Sequence, residues 1–318
     1  MKAIYIEQTG GPEVLKYGDM PKPEPAPGHA LVKVAASGVN FIDTYHRSGL
    51  YKIPLPAILG TEGAGTVEAG TLFKKGDRVA WAMSRGSYAE YALVPESFLV
   101  ALPDRVDFRS GAAAMLQGMT AHYLVYSTYP LKEGDTVLIH AAAGGTGRLL
   151  VQMAKMAGAR VIGTAGSEAK AKLAREAGAD EVILYSTEDF VAETKRLTNG
   201  KGVDVVYDSV GQATLMKSLD CVRPRGLVVS FGQSSGAVPA FEPLLLAQKG
   251  SLFFTRPMLG NYISDRKELD WRAGDVFRWI AEKKLVLRAE HVYELAYAEQ
   301  AHRDLEGRQT TGKLILLI

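Results

Sequence analysis

The segment H-A-A-A-G-G-T-G, residues 140–147, carries the strongest chemical signal in the sequence. It continues the apolar run DTVLIHA, which is typical of a buried strand, and it opens a stretch with helical periodicity. Gly144 and Gly145 allow the backbone to approach a phosphate closely, and Gly147 allows the helix to pack against the strand. The N–H groups at the start of the helix, near Thr146, favour a negative charge. The segment therefore predicts a cradle for the pyrophosphate of a dinucleotide.

The match to the dinucleotide fingerprint G-x-G-x-x-G is imperfect, because Ala142 stands at the position of the first glycine. A purely structural glycine-rich turn is the alternative interpretation. Strand-like segments follow at intervals with helical segments between them, namely RVIGTA, EVILY, DVVYDS and LVVSFG. This alternation is the context that the fingerprint requires, and it favours the binding site over the structural turn.

The end of the next strand, R-V-I-G-T-A-G-S-E-A-K over residues 160–170, bears on the choice between NAD and NADP. An enzyme that uses NAD places an acidic residue here to bind the ribose 2′-hydroxyl. In this chain the strand ends without a carboxylate, and Ser167 and Lys170 can instead bind a 2′-phosphate. Glu168 is the contrary residue, but at the start of a helix it can point outward. The segment predicts NADPH.

The segment G-V-N-F-I-D-T-Y-H-R-S-G-L-Y, residues 38–51, offers polar groups for a flat acceptor. Asn40 can form hydrogen bonds through its amide, and Tyr45 and Tyr51 offer hydroxyls and aromatic faces. Asp43 suits an orienting or structural role better than proton transfer. Without further context these are ordinary surface or turn residues, so their function depends on the resemblance given below.

The sequence offers no recognisable metal site. Its one cysteine, Cys221, can form neither an internal disulfide nor a cysteine-rich zinc site, and it is interpreted as a packed thiol. The six histidines are scattered and include no H-E-x-x-H pair. No Ser-His-Asp or Cys-His arrangement is apparent. We therefore expect chemistry without a metal and without a side-chain nucleophile.

Length and charge restrict the class of protein. The chain has 318 residues, enough for two domains, and its net charge of +2 gives no basis for nucleic-acid binding. No apolar run approaches the roughly 18 residues needed to span a bilayer. The N-terminal segment MKAIYIEQTGGPEV alternates like a strand and lacks the features of a signal peptide. We expect a cytoplasmic protein.

The chemical residues are distributed over segments of different character. Residues 1–118 contain many short strands punctuated by glycine, which indicates a β-rich barrel or sandwich. Residues 119–253 alternate strands with helices and predict a parallel sheet buried on both faces. Residues 254–318 contain one predicted helix, about Glu268–Lys283, and the strand KLILLI. This tail is too small to fold alone, and we expect it to complete the first domain.

Several of these motifs together carry a family resemblance. AAAGGTG, VIGTAGS, VYDSVG, GVNFIDTYHRSGLY, FGQSSG and SLFFTRP extend along essentially the whole chain. The chain resembles the zinc-independent quinone oxidoreductases, relatives of zeta-crystallin in the medium-chain dehydrogenase/reductase superfamily. The resemblance implies an α/β fold with a doubly wound Rossmann sheet for NADPH, over 119–253, and a β-rich GroES-like catalytic domain, over 1–118 and 254–318. It also implies a cleft that holds the nicotinamide, and a homodimer joined at the Rossmann sheet edge formed by SLFFT.

The resemblance further implies the residues of the site. Ser167, Lys170 and Tyr185 match those that hold the 2′-phosphate. Matches to other cofactor contacts are Asn40, Thr120, Ala143, Gly144, Gly145, Thr146, Gly147, Gly166, Ser209, Ser230, Phe231, Gly232, Gln233 and Arg256.

The resemblance also bears on zinc. Zinc-dependent members of the superfamily have a cysteine at the position of Asn40 and a histidine at that of Thr61, and only Glu62 remains of that ligand set.

The predicted reaction follows from the missing Lewis acid. Without zinc an alkoxide is poorly stabilised, whereas a quinone delocalises the incoming charge over its own ring. We therefore expect NADPH:quinone oxidoreductase activity, with Asn40, Tyr45 and Tyr51 as the catalytic residues. An NADPH-dependent enal or enone reductase and a non-catalytic, crystallin-like NADPH-binding protein are the alternatives. The sequence does not separate one-electron from two-electron reduction.

Overall fold

The computed structural model describes residues 1–307 and 310–318. Contacts divide the chain into two units, Met1–Met119 with Tyr262–Ile318, and Thr120–Asn261. We call the first the β-rich unit and the second the parallel-sheet unit. The sequence pattern put the second boundary at residue 254, but a strand of the parallel sheet crosses that position, at Phe253–Thr255. The contacts therefore assign residues 254–261 to the parallel-sheet unit.

The strands of the described residues are β1 Lys2–Ile6, β2 Lys16–Asp19, β3 His29–Val39, β4 Ala57–Ile58, β5 Glu62–Ala69, β6 Arg78–Ala82, β7 Tyr91–Pro95, β8 Leu99–Ala101, β9 Thr136–Ile139, β10 Arg160–Ala165, β11 Glu181–Leu184, β12 Val203–Asp208, β13 Val222–Ser230, β14 Phe253–Thr255, β15 His291–Glu294 and β16 Leu314–Leu317. The α-helices are α1 Phe41–Ser48, α2 Phe108–Tyr123, α3 Gly145–Met156, α4 Glu168–Glu176, α5 Phe190–Leu197, α6 Leu215–Ser218, α7 Leu244–Gln248, α8 Leu259–Tyr262, α9 Arg266–Ala281 and α10 Ala298–Glu306.

The parallel-sheet unit is built on six strands in the order β11-β10-β9-β12-β13-β14, and each neighbouring pair is parallel. The chain runs outward from β9 to β11 on one side and from β12 to β14 on the other. Ligands bind such sheets at the carboxyl ends of the strands, where this order reverses. The predicted doubly wound sheet is confirmed, and its reversal lies between β9 and β12.

The segments RVIGTA, EVILY and DVVYDS form β10, β11 and β12 within one residue of their predicted bounds, and β13 begins five residues before LVVSFG. The apolar run of β9 is fully buried, which a parallel strand covered on both faces requires. Helices α3 and α4 are followed by Gly158 and Gly178, whose positive φ values of 82° and 109° suit glycine after a helix. Cys221 is buried, and burial raises the pKa of its thiol to about 12. It is a packed, unreactive thiol, as expected.

The β-rich unit contains a sheet in the order β15-β16-β3-β5-β6-β8, to which β7 adds by pairing with β3, and a smaller sheet β2-β1-β4. Strand β16 pairs antiparallel with β3, and the contacts group the C-terminal segment with this unit. Helix α9 begins two residues before the predicted start, because the carboxylate of Asp265 accepts the N–H of Lys267 at its N-terminus. No helix of the described residues is long and apolar enough to cross a membrane.

The description of residues 1–118 as mostly strand is incomplete. It missed α1, whose start is marked by the Asn40 N–H donating to Asp43 three residues later. It also missed the start of α2, where the run GAAAM is buried throughout and shows no helical alternation of apolar and polar residues. Helix α1 carries Asp43 and Tyr45, so this omission concerns the site directly.

Candidate active site

The glycine-rich segment forms the turn between β9 and α3. The N–H of Gly144 donates to the carbonyl of Ala141 at 2.9 Å, and α3 begins at the next residue. A Cβ on Gly147 would lie 2.2 Å from the Ala141 oxygen, which is too close for any side chain. Gly147 therefore has the packing role that the fingerprint assigns to its last glycine, and the first turn of α3 presents the N–H groups that suit a phosphate.

The departure from the fingerprint at Ala142 has a structural compensation. Residue 163 on the neighbouring strand β10 is also a glycine, and a Cβ there would lie 2.8 Å from the Cβ of Ala142. The extra methyl group of Ala142 therefore occupies space that Gly163 leaves open. The imperfect match preserves the close packing of the turn against the sheet.

The residues predicted to hold a 2′-phosphate lie at the ends of β10 and β11. Ser167 is the exposed N-cap of α4, and its hydroxyl oxygen accepts the N–H of Lys170 at 3.4 Å. The Tyr185 hydroxyl lies over the backbone of Gly166, since a Cβ there would be 2.6 Å from it. The contrary residue, Glu168, is paired with Arg175 at 3.4 Å along the same helix.

This donor set fits the phosphate better than it fits a bare ribose. It combines two hydroxyls, one ammonium group and a helix N-terminus, and β10 ends without a carboxylate. The structure places Gly166, Ser167 and Tyr185 at one point of the sheet edge, with Lys170 on the first turn of the adjoining helix.

A third group of predicted cofactor residues lies where β12 and β13 end. The N–H of Phe231 donates to the carbonyl of Asp208 at 2.8 Å, and a Cβ on Gly232 would lie 2.6 Å from the Ser209 carbonyl oxygen. The structure thus brings Ser209, Phe231 and Gly232 together, and Gln233 follows directly.

The remaining predicted cofactor residues occupy other places in the same unit. Ser230, the last residue of β13, and Ala143 are both buried. Thr120 is buried on α2, and Arg256 is exposed immediately after β14.

In the β-rich unit, Asn40 is part of a buried ion-pair cluster. Its amide nitrogen donates to a Glu62 carboxylate oxygen at 2.8 Å and to the Gly38 carbonyl at 3.3 Å. The Lys313 ammonium donates to the Asn40 amide oxygen at 2.6 Å and to the same Glu62 oxygen at 2.5 Å. The other Glu62 oxygen accepts the N–H of Leu116 at 2.6 Å. The three side chains of this cluster, those of Asn40, Glu62 and Lys313, are at most 4% exposed.

Gly38 makes room for this cluster. A Cβ at this position would lie 2.3 Å from a Glu62 carboxylate oxygen and 2.6 Å from the Lys313 side chain. Only a residue without a side chain allows the ammonium and the carboxylate to meet beside β3. Sequence reasoning missed Lys313, because a lysine beside a C-terminal strand is usually a solvated surface residue.

A second buried group surrounds Asp43. Its carboxylate accepts the Thr61 hydroxyl at 2.9 Å, the Asn40 N–H at 2.9 Å and the Tyr88 hydroxyl at 3.1 Å. Burial raises the pKa of Asp43 to about 6, although these hydrogen bonds and Lys313 oppose the rise. Asp43 therefore orients α1 and its neighbours, which agrees with the orienting role expected for it.

The Tyr88 hydroxyl, which donates to Asp43, ends a row of hydrogen bonds that begins at Arg47. Arg47 holds Glu306 through two bonds of 2.9 and 2.8 Å and donates to His302 Nδ1 at 3.0 Å. Since arginine only donates, Nδ1 accepts, and the proton of the neutral ring lies on Nε2, 3.2 Å from the Tyr88 hydroxyl oxygen. Burial and the charge of Arg47 lower the pKa of His302 to about 3, which keeps the ring neutral. These hydrogen bonds join α10 to α1.

The two predicted catalytic tyrosines lie together. Tyr45 is on α1, and after the turn at Gly49 the N–H of Tyr51 donates to the Tyr45 carbonyl at 3.0 Å. Their rings meet edge to face with centroids 5.3 Å apart, and both are half-buried. This pair offers two phenols and an aromatic wall for a flat molecule.

The positions where zinc enzymes carry ligands have other partners here. Asn40 is bound by Glu62 and Lys313, and the Thr61 hydroxyl donates to Asp43. Within the described residues, no group of three or more histidine, cysteine, aspartate or glutamate side chains is arranged to hold a metal. Metal-free chemistry stays a prediction that elemental analysis must test.

Comparisons with known proteins identify the family. Residues 26–104 match the family described as the alcohol dehydrogenase GroES-like domain, and residues 145–271 match the one described as zinc-binding dehydrogenase. The chain is 48% identical to a quinone oxidoreductase of Pseudomonas aeruginosa, over 99% of each protein. It is 41% identical to a 2-haloacrylate reductase of a Burkholderia species, over 99% of this chain and 98% of that one.

A solved structure agrees over the full length. The structure of Escherichia coli quinone oxidoreductase complexed with NADPH matches with a TM-score of 0.98 and 44% identity, and all of both chains is covered. Identity at this level over whole chains shows common descent. The chain belongs to the quinone oxidoreductases of the medium-chain dehydrogenase/reductase superfamily.

Proposed function

We propose that the protein is an NADPH:quinone oxidoreductase. The observation that carries the proposal is the donor set of Ser167, Lys170 and Tyr185 at the ends of β10 and β11, in a chain of this family. A phosphate-type site at this position selects the phosphorylated dinucleotide. The parallel-sheet unit then acts as the NADPH-binding domain and the β-rich unit as the catalytic domain.

The residues of the parallel-sheet unit bind the cofactor in three places. The β9–α3 turn and the first turn of α3 bind the pyrophosphate through backbone N–H groups. Ser167, Lys170 and Tyr185 bind the 2′-phosphate. The residues that follow β12 and β13, from Ser209 and from Ser230, contact the nicotinamide half. NADPH, when bound, supplies the hydride.

The β-rich unit supplies the groups for the acceptor. We assign Tyr45 and Tyr51 as hydrogen-bond donors to the quinone oxygen on which negative charge develops, and their rings as its packing surface. Asn40 is held by Lys313 and Glu62, so it presents one fixed orientation of its carboxamide. A quinone that accepts the hydride then takes one proton from water or a side chain and leaves as the hydroquinone.

A second activity is supported by one relative. The 2-haloacrylate reductase is 41% identical over nearly its whole length and, by its name, reduces a carbon–carbon double bond conjugated to a carboxylate. A flat site with two phenols accommodates any conjugated acceptor, since hydride transfer needs the same geometry in each case. Reduction of enals or enones is therefore the alternative function.

Steady-state NADPH oxidation separates these activities. We expect the highest kcat/KM with 1,4-benzoquinone or 9,10-phenanthrenequinone, and slower turnover with an enone. Both routes end with one NADPH consumed per quinone, because semiquinones formed in one-electron steps disproportionate to quinone and hydroquinone. A semiquinone radical seen by electron paramagnetic resonance during anaerobic turnover indicates one-electron steps, whereas hydroquinone formed without that signal indicates two-electron reduction. Faster reduction of the enone would make the alternative correct, and NADPH binding without turnover of any acceptor would make the protein non-catalytic.

We also propose a homodimer formed through β14. This strand is at one edge of the parallel sheet, and Phe253 on it is 63% exposed. An open apolar edge strand is a template for pairing with another chain. Light scattering should give twice the chain mass, and Phe253→Lys should reduce it to the mass of one chain. A cytoplasmic location completes the proposal, since the cofactor is an intracellular reductant and the single cysteine forms no disulfide.

A further inference from the structure

Three neighbouring strands of the parallel sheet are joined at their carboxyl ends by buried side chains. Thr164 is on β10, His140 directly follows β9, and Asp208 ends β12; each is at most 1% exposed. Since β10, β9 and β12 are adjacent in the sheet, these residues form a row beneath the edge where the predicted cofactor loops begin. Ser218, from α6, completes the row and is also fully buried.

The row is continuous in hydrogen bonds. His140 Nδ1 is 3.1 Å from the Thr164 hydroxyl, and His140 Nε2 is 3.0 Å from the Ser218 hydroxyl. The Ser218 hydroxyl donates to the Asp208 carboxylate at 2.9 Å. We call Thr164, His140, Ser218 and Asp208 the His140 relay. Only its last member, Asp208, carries a charge.

The direction of each bond follows from the chemistry of the partners. The Ser218 proton has acceptors at Asp208 and at the Thr214 carbonyl, 3.0 Å away, so towards His140 the serine oxygen accepts. The proton of the imidazole is therefore on Nε2, and Nδ1 accepts the Thr164 hydroxyl. Burial lowers the pKa of His140 against the opposing charge of Asp208, and the neutral ring is the form that this pattern needs.

Each strand end in the relay leads into one of the loops assigned to the cofactor. The other Asp208 oxygen accepts the N–H groups of Val210 and Gly211 at 2.8 and 2.9 Å, which fixes the loop that contains Ser209. The Thr164 carbonyl accepts the N–H of Ala142 at 3.1 Å, which joins the β10 end to the glycine-rich turn.

We propose that His140 is a positioning residue for the cofactor. Through Thr164 on one side and Ser218 and Asp208 on the other, it fixes the relative positions of the glycine-rich turn, the 2′-phosphate site and the Ser209 loop. This inference rests on the proposed use of NADPH, but the relay itself lies within one unit. The competing interpretation is a core histidine that packs edge to face on Phe190 and affects stability alone.

The test compares two substitutions at residue 164. Thr164→Val removes the hydroxyl and keeps the shape, whereas Thr164→Ser keeps the hydroxyl. Kd values for NADPH and for 2′,5′-ADP are measured by fluorescence titration and calorimetry, together with kcat at saturating NADPH. We expect Thr164→Val to weaken both ligands about 5- to 20-fold, as loss of one buried hydrogen bond predicts, with kcat nearly unchanged. Thr164→Ser should bind within about twofold of wild type.

A matched control separates positioning from stability. Thr194 is a fully buried threonine of the same unit whose hydroxyl donates to the Phe190 carbonyl at 2.6 Å, within α5. Thr194→Val should lower the melting temperature and leave both Kd values unchanged. His140→Leu should weaken NADPH more than Thr164→Val does, and the residue 164 pair remains decisive where that variant does not fold.

The outcomes are distinct. Equal Kd values for wild type and Thr164→Val would overturn the relay and leave the proposed function intact. Weakening by Thr164→Val that Thr164→Ser shares would also overturn it, because the hydroxyl would then be irrelevant. A wild-type chain that does not bind NADPH in the same titration would contradict the proposed function itself.

Discussion

His302 in the β-rich unit and His140 in the parallel-sheet unit are both buried, and burial lowers the pKa of each. In both cases Nδ1 accepts a hydrogen bond, and Nε2 donates to a hydroxyl that in turn donates to a buried carboxylate. The hydroxyl belongs to Tyr88 in one unit and to Ser218 in the other. The same sequence of groups therefore occurs twice in unrelated surroundings.

The two networks differ in where they begin. The row of hydrogen bonds through His302 begins at the charged guanidinium of Arg47. It ends at the Asp43 carboxylate, whose pKa the positive charge of Lys313 lowers. The His140 relay begins at the uncharged Thr164 hydroxyl and contains one charge, that of Asp208. Breaking a buried ion pair leaves an uncompensated charge, which destabilises far more than loss of a neutral hydrogen bond. We therefore expect substitutions among the buried charged groups of the β-rich unit to affect folding, and substitutions in the relay to affect cofactor affinity.

The largest expected effect is that of Lys313→Met. It removes the ammonium that neutralises Glu62 and leaves a buried carboxylate, so the free energy of unfolding should fall by about 3–5 kcal/mol. Urea denaturation measures the loss. The double variant Lys313→Met with Glu62→Gln should recover part of it, because no buried charge then remains. A loss below about 1 kcal/mol for the single variant would mean that Glu62 is solvated.

A smaller effect concerns pH. The folded pKa of Asp43, about 6, is above its usual 3.8, so its contribution to stability is present at low pH and is lost as the pH rises through 6. The folded pKa of His302, about 3, is below 6.5, so its contribution is lost as the pH falls from 6.5. The two contributions oppose each other between pH 4 and 6.

Asp43→Asn should expose this compensation. It removes the first contribution and keeps the second, so on acidification from pH 6 to 4.5 the variant should lose about 1–2 kcal/mol more stability than wild type. Denaturation midpoints at several pH values measure the difference. Parallel curves for the two proteins would show that Asp43 does not titrate in this range.

Lys170→Ala tests the predicted 2′-phosphate site of the parallel-sheet unit by its effect on NADPH affinity. It removes a cation assigned to the 2′-phosphate, so we expect NADPH to bind about tenfold more weakly and NADH to bind as before. Lys172, on the same helix, provides the control, because Lys172→Ala changes the net charge equally. Equal weakening of NADPH in both variants would indicate only a general electrostatic effect.

Tyr51→Phe tests the role assigned to the Tyr51 hydroxyl of the β-rich unit by its effect on the rate of quinone reduction. It keeps the ring that packs on Tyr45 and removes only the hydroxyl, so thermal stability should barely change. Loss of a hydrogen bond made in the transition state, roughly 1–3 kcal/mol, should lower kcat/KM for the quinone about tenfold or more. Unchanged kinetics would make Tyr51 a packing residue.

The smallest expected effect is that of metal removal. Lys313 already provides a cation to Asn40 and Glu62, so a chelator should leave activity unchanged, and elemental analysis should find no stoichiometric zinc. Activity that a chelator abolishes and zinc restores would contradict this prediction.

Sequence reasoning succeeded where the signal is local. The glycine-rich turn, its helix and the glycines that end α3 and α4 depend on residues a few positions apart, and the parallel sheet follows from repetition of that unit. The compensation between Ala142 and Gly163 could not be foreseen, because it depends on which strands are neighbours. The glycines of the turn, Ser167 and Lys170 were predicted from the sequence pattern, whereas Tyr185 and the residues after β12 and β13 were named through family resemblance.

The buried networks were missed for the same physical reason. Lys313 meets Glu62 across 251 residues, and His302 meets Tyr88 across 214. Each residue in isolation has the pattern of a surface lysine or an amphipathic helix position. Lys313 directly precedes β16, and the pairing of β16 with β3 brings it beside Glu62; a pairing over that many residues leaves no periodic trace in the sequence.

The pairing of β16 with β3 also imposes an order on synthesis. A ribosome completes all of Thr120–Asn261 before it makes β15 and β16, so the parallel sheet can form while the β-rich unit still lacks two of its strands. Until β16 arrives, Glu62 has no ammonium partner and the site around Asn40 stays open to water. The nascent protein should therefore acquire its cofactor-binding half first, and its catalytic half should close last around a single late-arriving charge.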